Sequence, residues 1–223
     1  MPALIAITGG SGSGKTTVAE AVAAALPAGA AVVLSEDRYY RDSGRAAGFD
    51  PMRFDFDHVD ARDHGLLAEH LDALKAGRMV RAPRYCFKNH WRKRGSDPVQ
   101  PAPVVILEGI HLLATAELSR RFDLRVFVDT PDDIRFIRRL LRDTRPVSQG
   151  GRARKPGDVA AQYLSTVRPG HLAFTAPQRA AADLLLVDDS TRLQGPDPAD
   201  VARLAAPILG HPVVRAALQA SQP

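Results

Sequence analysis

The stretch LIAITGGSGSGKTT, residues 4–17, decides the architecture. Leu4–Thr8 is an apolar run without polar alternation, as expected of a strand buried on both faces. Gly9-Gly10-Ser11-Gly12-Ser13-Gly14-Lys15-Thr16 fits G-x-x-x-x-G-K-[ST], a loop that wraps phosphates. Thr16–Leu26 then reads as a helix with Val18, Val22 and Leu26 on one side, stopped by Pro27 and Gly29. Each part has a physical task. Glycines let the backbone approach phosphates and aim its N–H groups inward. The helix N-terminus adds partial positive charge. Lys15 supplies a mobile point charge, and the Thr16 hydroxyl can ligate Mg²⁺. The expected nucleotide-binding residues are Gly9, Gly10, Ser11, Gly12, Ser13, Gly14, Lys15, Thr16 and Thr17.

Outward from this loop, buried-strand runs recur at Ala31–Leu34, Val104–Leu107, Leu124–Val128 and within Ala182–Val187. Helical segments lie between them. One runs from Ala61 to about Ala76 with Asp60 as its cap, and one starts at Thr130 and Pro131 with Asp132 and Asp133 in its first turn. Others are Asp158–Val167 and Ala199–Leu209. The alternation predicts a single α/β domain, residues 1–223, of P-loop NTPase type: a doubly wound parallel sheet with helices on both faces. Met79–Phe87 and Val99 suggest a small β-hairpin substrate region at about 78–100. Glu36–Asp60 has no clear period and reads as a long loop or broken helix; loops of that length are usually functional. Thr144–Gly157, rich in Pro, Gly and Arg, reads as a mobile lid at about 143–157.

Composition narrows the class. The chain carries net charge +5 and a pI near 9.7, which favours anionic partners such as nucleotides. Its single cysteine, Cys86, excludes an intrachain disulfide and a Cys-based zinc site, and it suits a reducing cytoplasm. The N-terminal apolar run is too short for a signal peptide or a membrane span. The expectation is a cytoplasmic protein without a membrane partner. A phosphate loop alone fits a kinase, a switch or a motor. A switch GTPase would carry N-K-x-D after a later strand, and none is present. A helicase-type motor needs more than one small domain.

A kinase needs an acceptor site beside the loop, at the carboxyl ends of the strands. Asp37, in LSEDRYYR just after a strand, is placed to take a proton from an attacking hydroxyl. Asp57, in FDFDHVD, offers two oxygens to paired sugar hydroxyls. Glu108 ends a buried strand, where an acidic residue often approaches Mg²⁺; Thr16 and Glu108 are the metal candidates. Arg135, Arg138, Arg139 and Arg142 share one helix and suit an electrostatic phosphoryl-transfer site. RYCFKNHWRKR, residues 84–94, interleaves basic and aromatic residues as single-stranded nucleic-acid surfaces do. Placed on a strand and its turn, Tyr85, Phe87 and His90 read better as a cup for one base. Arg84, Lys88, Arg92, Lys93 and Arg94 are then solvated turn charge. The expected partner is a small molecule rather than nucleic acid.

These segments together give the chain a resemblance. GGSGSGKTT, LSEDRYYR, FDFDHVDA, PRYCFKNH, VVILEGI, LRVFVDTPDDIRFIRRLLRD, and QYLSTVRPGH followed by ADLLLV resemble, in order and spacing, the uridine/cytidine kinases of the phosphoribulokinase–uridine kinase family. The resemblance spans about Leu4 to Val187. It implies transfer of the γ-phosphoryl of ATP or GTP, with Mg²⁺, to the 5′-OH of uridine or cytidine in pyrimidine salvage. It implies that Asp37 is the base, with Tyr40 beside it, and that Asp57 holds ribose hydroxyls with Arg139 and Gln162. Tyr85 and His90 would read the pyrimidine edge, Phe87 would pack on its face, and Ile110 would line the pocket. Lys15, Arg142, Arg152 and Arg154 would act on the transferred phosphate, the last two from the lid. A homotetramer is implied by the resemblance alone. Two stretches depart from the family pattern. Cys86 stands where the family usually has Asp, and TRPVSQGGRARKPGD replaces a compact Glu-Arg-Gly-Arg lid. Alternative readings are a related P-loop kinase for another small hydroxyl acceptor and, remotely, a nucleic-acid-binding protein.

Overall fold

The structure, a computed structural model, describes residues 1–51, 53–190 and 197–221. Five parallel strands form the central sheet: β1 (Ala3–Thr8), β2 (Ala31–Ser35), β5 (Val104–Gly109), β6 (Leu124–Asp129) and β7 (Leu184–Val187), in the order β2-β5-β1-β6-β7. β3 (Val80–Cys86) and β4 (Trp91–Val99) form a separate antiparallel hairpin. Every residue of β1 and of β5 is buried, which is why both read as uninterrupted apolar runs.

Alternation along β1 divides two cores. Ile5 and Ile7 join α1 (Lys15–Ala25), α7 (Pro198–Leu209) and α8 (Pro212–Gln219), through Val18, Val22, Leu204, Ile208 and Val214. Leu4 and Ala6 face the other way, onto Leu67, Leu71 and Leu74 of α2 (His64–Lys75) and Val80 and Ala82 of the hairpin. Among the described residues no single helix is long and apolar enough to cross a membrane. α7 and α8, bent by 71° at their junction, put Ile208 and Val214 into the first core instead.

β1 lies between β5 and β6, with Thr8 beside Gly109 on one side and Phe127 on the other. The chain moves outward to β2, returns through β5, then crosses to β6. The phosphate loop therefore opens at the topological switch point, where ligands of open α/β sheets bind.

Several boundaries differ from the sequence reading. α2 begins at His64, and its cap is Asp63, which accepts from the Leu66 amide at 3.2 Å. Asp60 cannot cap it, because Val59–Ala61 is a 3₁₀ turn and Arg62 forms an antiparallel bridge with Tyr40. That bridge holds residue 62 extended. The helix expected over Asp158–Val167 begins as α5 (Pro156–Gln162) and continues beyond Val167. It passes through a π-helical segment at Tyr163–Val167, α6 (Arg168–Gly170), a second π-helical segment at His171–Thr175 and a 3₁₀ segment at Ala176–Ala181. The π turns shift the period away from 3.6, which blurred the pattern. The lid segment, expected to be mobile, is folded back on α4 (Asp132–Thr144). The Ala153 amide donates to the Arg145 carbonyl at 2.8 Å, and the Arg154 amide to the Asp143 carbonyl at 2.9 Å.

Candidate active site

The phosphate loop is packed from beneath. Gly12 has φ 85°, and a Cβ there would collide with the Arg135 carbonyl of α4. Glycine is therefore needed for both conformation and space. The Thr130 hydroxyl donates to the Ser13 carbonyl at 3.1 Å, and the Arg139 Nη1 donates to the Ser11 hydroxyl at 2.9 Å. Among the described residues the buried Ser13 hydroxyl has no hydrogen-bond partner. α1 starts at Lys15, so its first-turn amides carry the unsatisfied donors of a helix N-terminus. A phosphate chain fits this cradle.

At the rim, the Thr16 hydroxyl donates to Glu108 Oε2 at 3.1 Å. Burial pushes the Glu108 carboxyl up, while Lys15 pulls it down. A hydroxyl and a carboxylate are hard oxygen donors that suit Mg²⁺, an ion that keeps waters and phosphate oxygens in its remaining positions.

Asp37 follows β2 in a 3₁₀ turn, Glu36–Tyr39, capped when the Ser35 hydroxyl accepts the Asp37 amide at 3.3 Å. Its carboxylate accepts from Arg62 Nη2 at 3.0 Å and remains partly exposed. Beside it, the fully buried Glu36 accepts the amides of Ile110 at 2.7 Å and His111 at 3.1 Å, and pairs with His64 Nε2 at 2.7 Å. A Cβ on Gly109 would overlap this carboxylate, so glycine is required there. Burial raises the Glu36 carboxyl, but Arg62, His64 and His111 together hold it well below the usual range. Ile110 is thus placed chiefly through its amide.

Tyr40, Tyr85 and Phe87 meet as a cluster. Ring centroids are 5.0 Å apart for Tyr40 and Tyr85, and 5.2 Å for Tyr85 and Phe87. A cleft of about 350 Å³ beside Asp37 is lined by Ser35, Asp37, Tyr85 and Phe87 and by the charged side chains of Arg38, Arg84, Lys93 and Asp97; Asp57, His90 and Ile110 lie outside its lining. Arg84 and Lys93 are therefore not simply solvated turn charge, and Arg84 pairs with Asp97. Among the described residues the buried Tyr85 hydroxyl has no hydrogen-bond partner, and burial pushes its pKa up to about 12. His90 stands farther along the same chain of rings, 4.6 Å from Phe56 and 5.6 Å from Phe49. Burial, then Arg154 and Arg152, lower its pKa and favour the neutral imidazole.

Asp57 is nearly buried, with Gly170 packed closely against its backbone. Burial raises its carboxyl, opposed by Arg139 and Arg62. Arg139 Nη2 and Arg154 Nη1 both donate to Gln162 Oε1, at 3.2 and 2.6 Å. Asp143 is fully buried and pairs with Arg142 at 2.8 Å, Arg152 at 3.6 Å and Arg139 at 3.7 Å. Arg152 also lies 5.8 Å from the Phe87 ring centroid.

Not every expected basic residue converges. Arg138 turns away to Asp188 and the Ser190 carbonyl, at 2.6 and 2.8 Å. Arg135 is buried under the loop and donates to the Thr130 carbonyl at 3.1 Å. Arg92 is not solvated turn charge. It ties the hairpin to the Asp37 turn, donating to the carbonyls of Tyr40 at 3.0 Å and Tyr39 at 3.3 Å and to Asp63 at 3.1 Å. Cys86 pairs in register with Trp91 and alternates with Tyr85 along β3.

The sequence reading missed Arg62, Glu36, Asp143 and the ring cluster Phe49, Phe54 and Phe56. Three phenylalanines in a polar loop were the available signal. For Arg62 there was none, because ARDHG reads as a solvated helix start.

A parallel sheet in this order, with a glycine loop and Lys15 after its central strand, defines a P-loop nucleotide-binding protein. The chain belongs to the phosphoribulokinase / uridine kinase family, whose model matches residues 4–193. A uridine kinase from Deinococcus deserti is 43% identical over 185 residues, 83% of this chain and 87% of that protein. A uridine kinase from Chloroflexus aggregans is 42% identical over 184 residues, 82% of this chain and 86% of that protein. Among solved structures, phosphoribulokinase from Rhodobacter spheroides shares the fold, with TM-score 0.60 at 16% identity over 87% of this chain and 74% of that one.

Proposed function

We propose that this kinase phosphorylates the 5′-OH of uridine or cytidine, using ATP or GTP and yielding UMP or CMP for pyrimidine salvage. The observation that carries the reading is the position of Asp37. It lines the cleft with Tyr85 and Phe87, and it follows β2, whose Ser35 pairs in register with Glu108, the hydrogen-bond partner of Thr16. This neighbourhood supports reading Asp37 as the carboxylate between the nucleoside and the phosphate loop.

Asp37 accepts the proton of the nucleoside hydroxyl as that oxygen bonds the γ-phosphorus. The bond from the γ-phosphorus to the bridging oxygen breaks, and the nucleoside diphosphate leaves. Lys15, Arg142, Arg152 and Arg154 stabilise charge on the transferring group. When bound at Thr16 and Glu108, Mg²⁺ supplies further neutralisation of the phosphate oxygens. Asp57 holds ribose hydroxyls, and Arg139 and Gln162 tie that region to the loop and lid. Tyr85 and His90 present polar atoms to the base edge, and Phe87 and Ile110 bound the cup. A neutral imidazole can donate or accept, which suits both the 4-oxo and the 4-amino base.

The test is Asp37→Asn, which keeps shape and removes the base. Its kcat should fall about 10³-fold with ATP affinity retained. Near-normal turnover in the folded variant would remove Asp37 from the role.

A further inference from the structure

Building on the kinase reading, we propose that Arg62 is the positioning residue of the base: it fixes Asp37 by Oδ1 and leaves Oδ2 free to take the acceptor's proton. Among the described residues, Arg62 is the side chain that hydrogen-bonds the Asp37 carboxylate, through Nη2 at 3.0 Å. The same nitrogen donates to the Tyr40 hydroxyl at 2.6 Å. Nη1 donates to the Phe56 carbonyl at 3.1 Å and faces His111 Nδ1 at 3.4 Å. The guanidinium carbon lies 4.1 Å from the centroid of the Tyr40 ring, and the Arg62 side chain is 1% exposed. Both terminal nitrogens are thus engaged, while among the described residues Nε makes no hydrogen bond and lies 3.5 Å from Glu36 Oε2.

The alternative is that Arg62 merely neutralises buried Glu36, whose carboxylate lies 3.5 Å from Nε. Glu36 already accepts two backbone amides and pairs with His64. Both terminal nitrogens of Arg62 point instead to Asp37, Tyr40 and Phe56, residues of the cup. Asp37, by contrast, has a side chain 43% exposed, and among the described residues Arg62 is its hydrogen-bonding side-chain partner. A planar fork held rigid is suited to fixing one carboxylate oxygen. Losing alignment by about 1 Å costs on the order of 100-fold in rate.

The experiment compares wild type, Arg62→Met, Arg62→Lys and the double variant Arg62→Met/Glu36→Gln in uridine-dependent ADP release, with melting curves for each. The double variant removes the charge that Arg62→Met strands on Glu36. The expected result is a loss of kcat of about 100-fold in Arg62→Met, with KM for uridine and Kd for ATP within about threefold. Arg62→Lys should recover at least about tenfold of that loss, by keeping a donor near Oδ1. The double variant should melt close to wild type yet stay as slow as Arg62→Met. If the double variant regains wild-type kcat, Arg62 serves only to neutralise Glu36 and the proposal is overturned. It is equally overturned if Arg62→Met turns over like wild type while wild type is active. A wild type that phosphorylates no hydroxyl acceptor overturns both this proposal and the kinase reading beneath it.

Discussion

His90 combines constraints that pull in different directions. Its φ of 56° is unusual for a residue with a Cβ, and it sits in the turn between β3 and β4. The turn is held because the His90 amide donates to the Cys86 carbonyl at 2.8 Å and its carbonyl accepts from the Gly44 amide at 2.7 Å. Strain of this kind persists where surrounding contacts over-determine it, and such places are often functional. Its ring packs on Phe56 and Phe49, and burial, then Arg154 and Arg152, favour its neutral form. His90→Ala should raise KM for uridine by about tenfold, the value of one good hydrogen bond, with KM for ATP nearly unchanged. Steady-state kinetics in each substrate checks this, and equal rises in both would show that the ring does not face the nucleoside. At this scale the sequence was legible where a residue type has few uses. Lys15 and the glycines of the loop, in the pattern G-x-x-x-x-G-K-T, are such cases. It was illegible for Arg62, Glu36 and Asp143, whose burial depends on partners far along the chain. Glu36 meets Ile110 and His111 across 74 and 75 positions, and no local pattern encodes that meeting.

The lid and α4 behave as one element because Asp143 joins them. This single buried carboxylate faces Arg139 and Arg142 from its own helix and Arg152 from the loop. Burial raises its carboxyl, but Arg142, Arg152 and Arg139 bring it below the ordinary value, so it stays charged. Without it, three guanidinium groups would face one another. Asp143→Asn should cost about 1–3 kcal/mol, toward the low side for a buried pair because Arg142 and Arg152 are partly exposed. It should also lower kcat by about tenfold by loosening Arg142 and Arg152. Thermal melts and kinetics on the same preparation check both; an unchanged melt with unchanged kcat would separate the lid from α4. The strands were the most legible elements, because a parallel sheet covered on both faces demands continuous apolar runs. The helical stretch beyond Val167 was least legible. Its π-helical segments break the period, and Arg168, Pro169 and Gly170 in mid-run resemble a terminus.

Across the whole molecule, the sheet brings two carboxylates, Asp37 and Glu108, and the phosphate loop to its carboxyl end. Ser35 pairs in register with Glu108, and Ile7 pairs with Glu108 from the other side. The ends of β2, β5 and β1 therefore finish level, with Glu108 in the last pairs of β5 and Asp37 and the glycine loop just beyond β2 and β1. The hairpin and the lid flank this edge, with Phe87 on one and Arg152 on the other, 5.8 Å apart at ring centroid and guanidinium. This convergence was legible in outline, since strand order places every loop after a parallel strand on the same side. The cup's shape was not, because it depends on Phe49 and Phe56 folding under His90 from a loop without periodicity. The most direct test of the account is a panel of hydroxyl acceptors, each assayed for ADP or GDP release with ATP and with GTP. Uridine or cytidine should be turned over with the highest kcat/KM, well above sugar phosphates and purine nucleosides. Turnover of another acceptor with both pyrimidine nucleosides inert would contradict it.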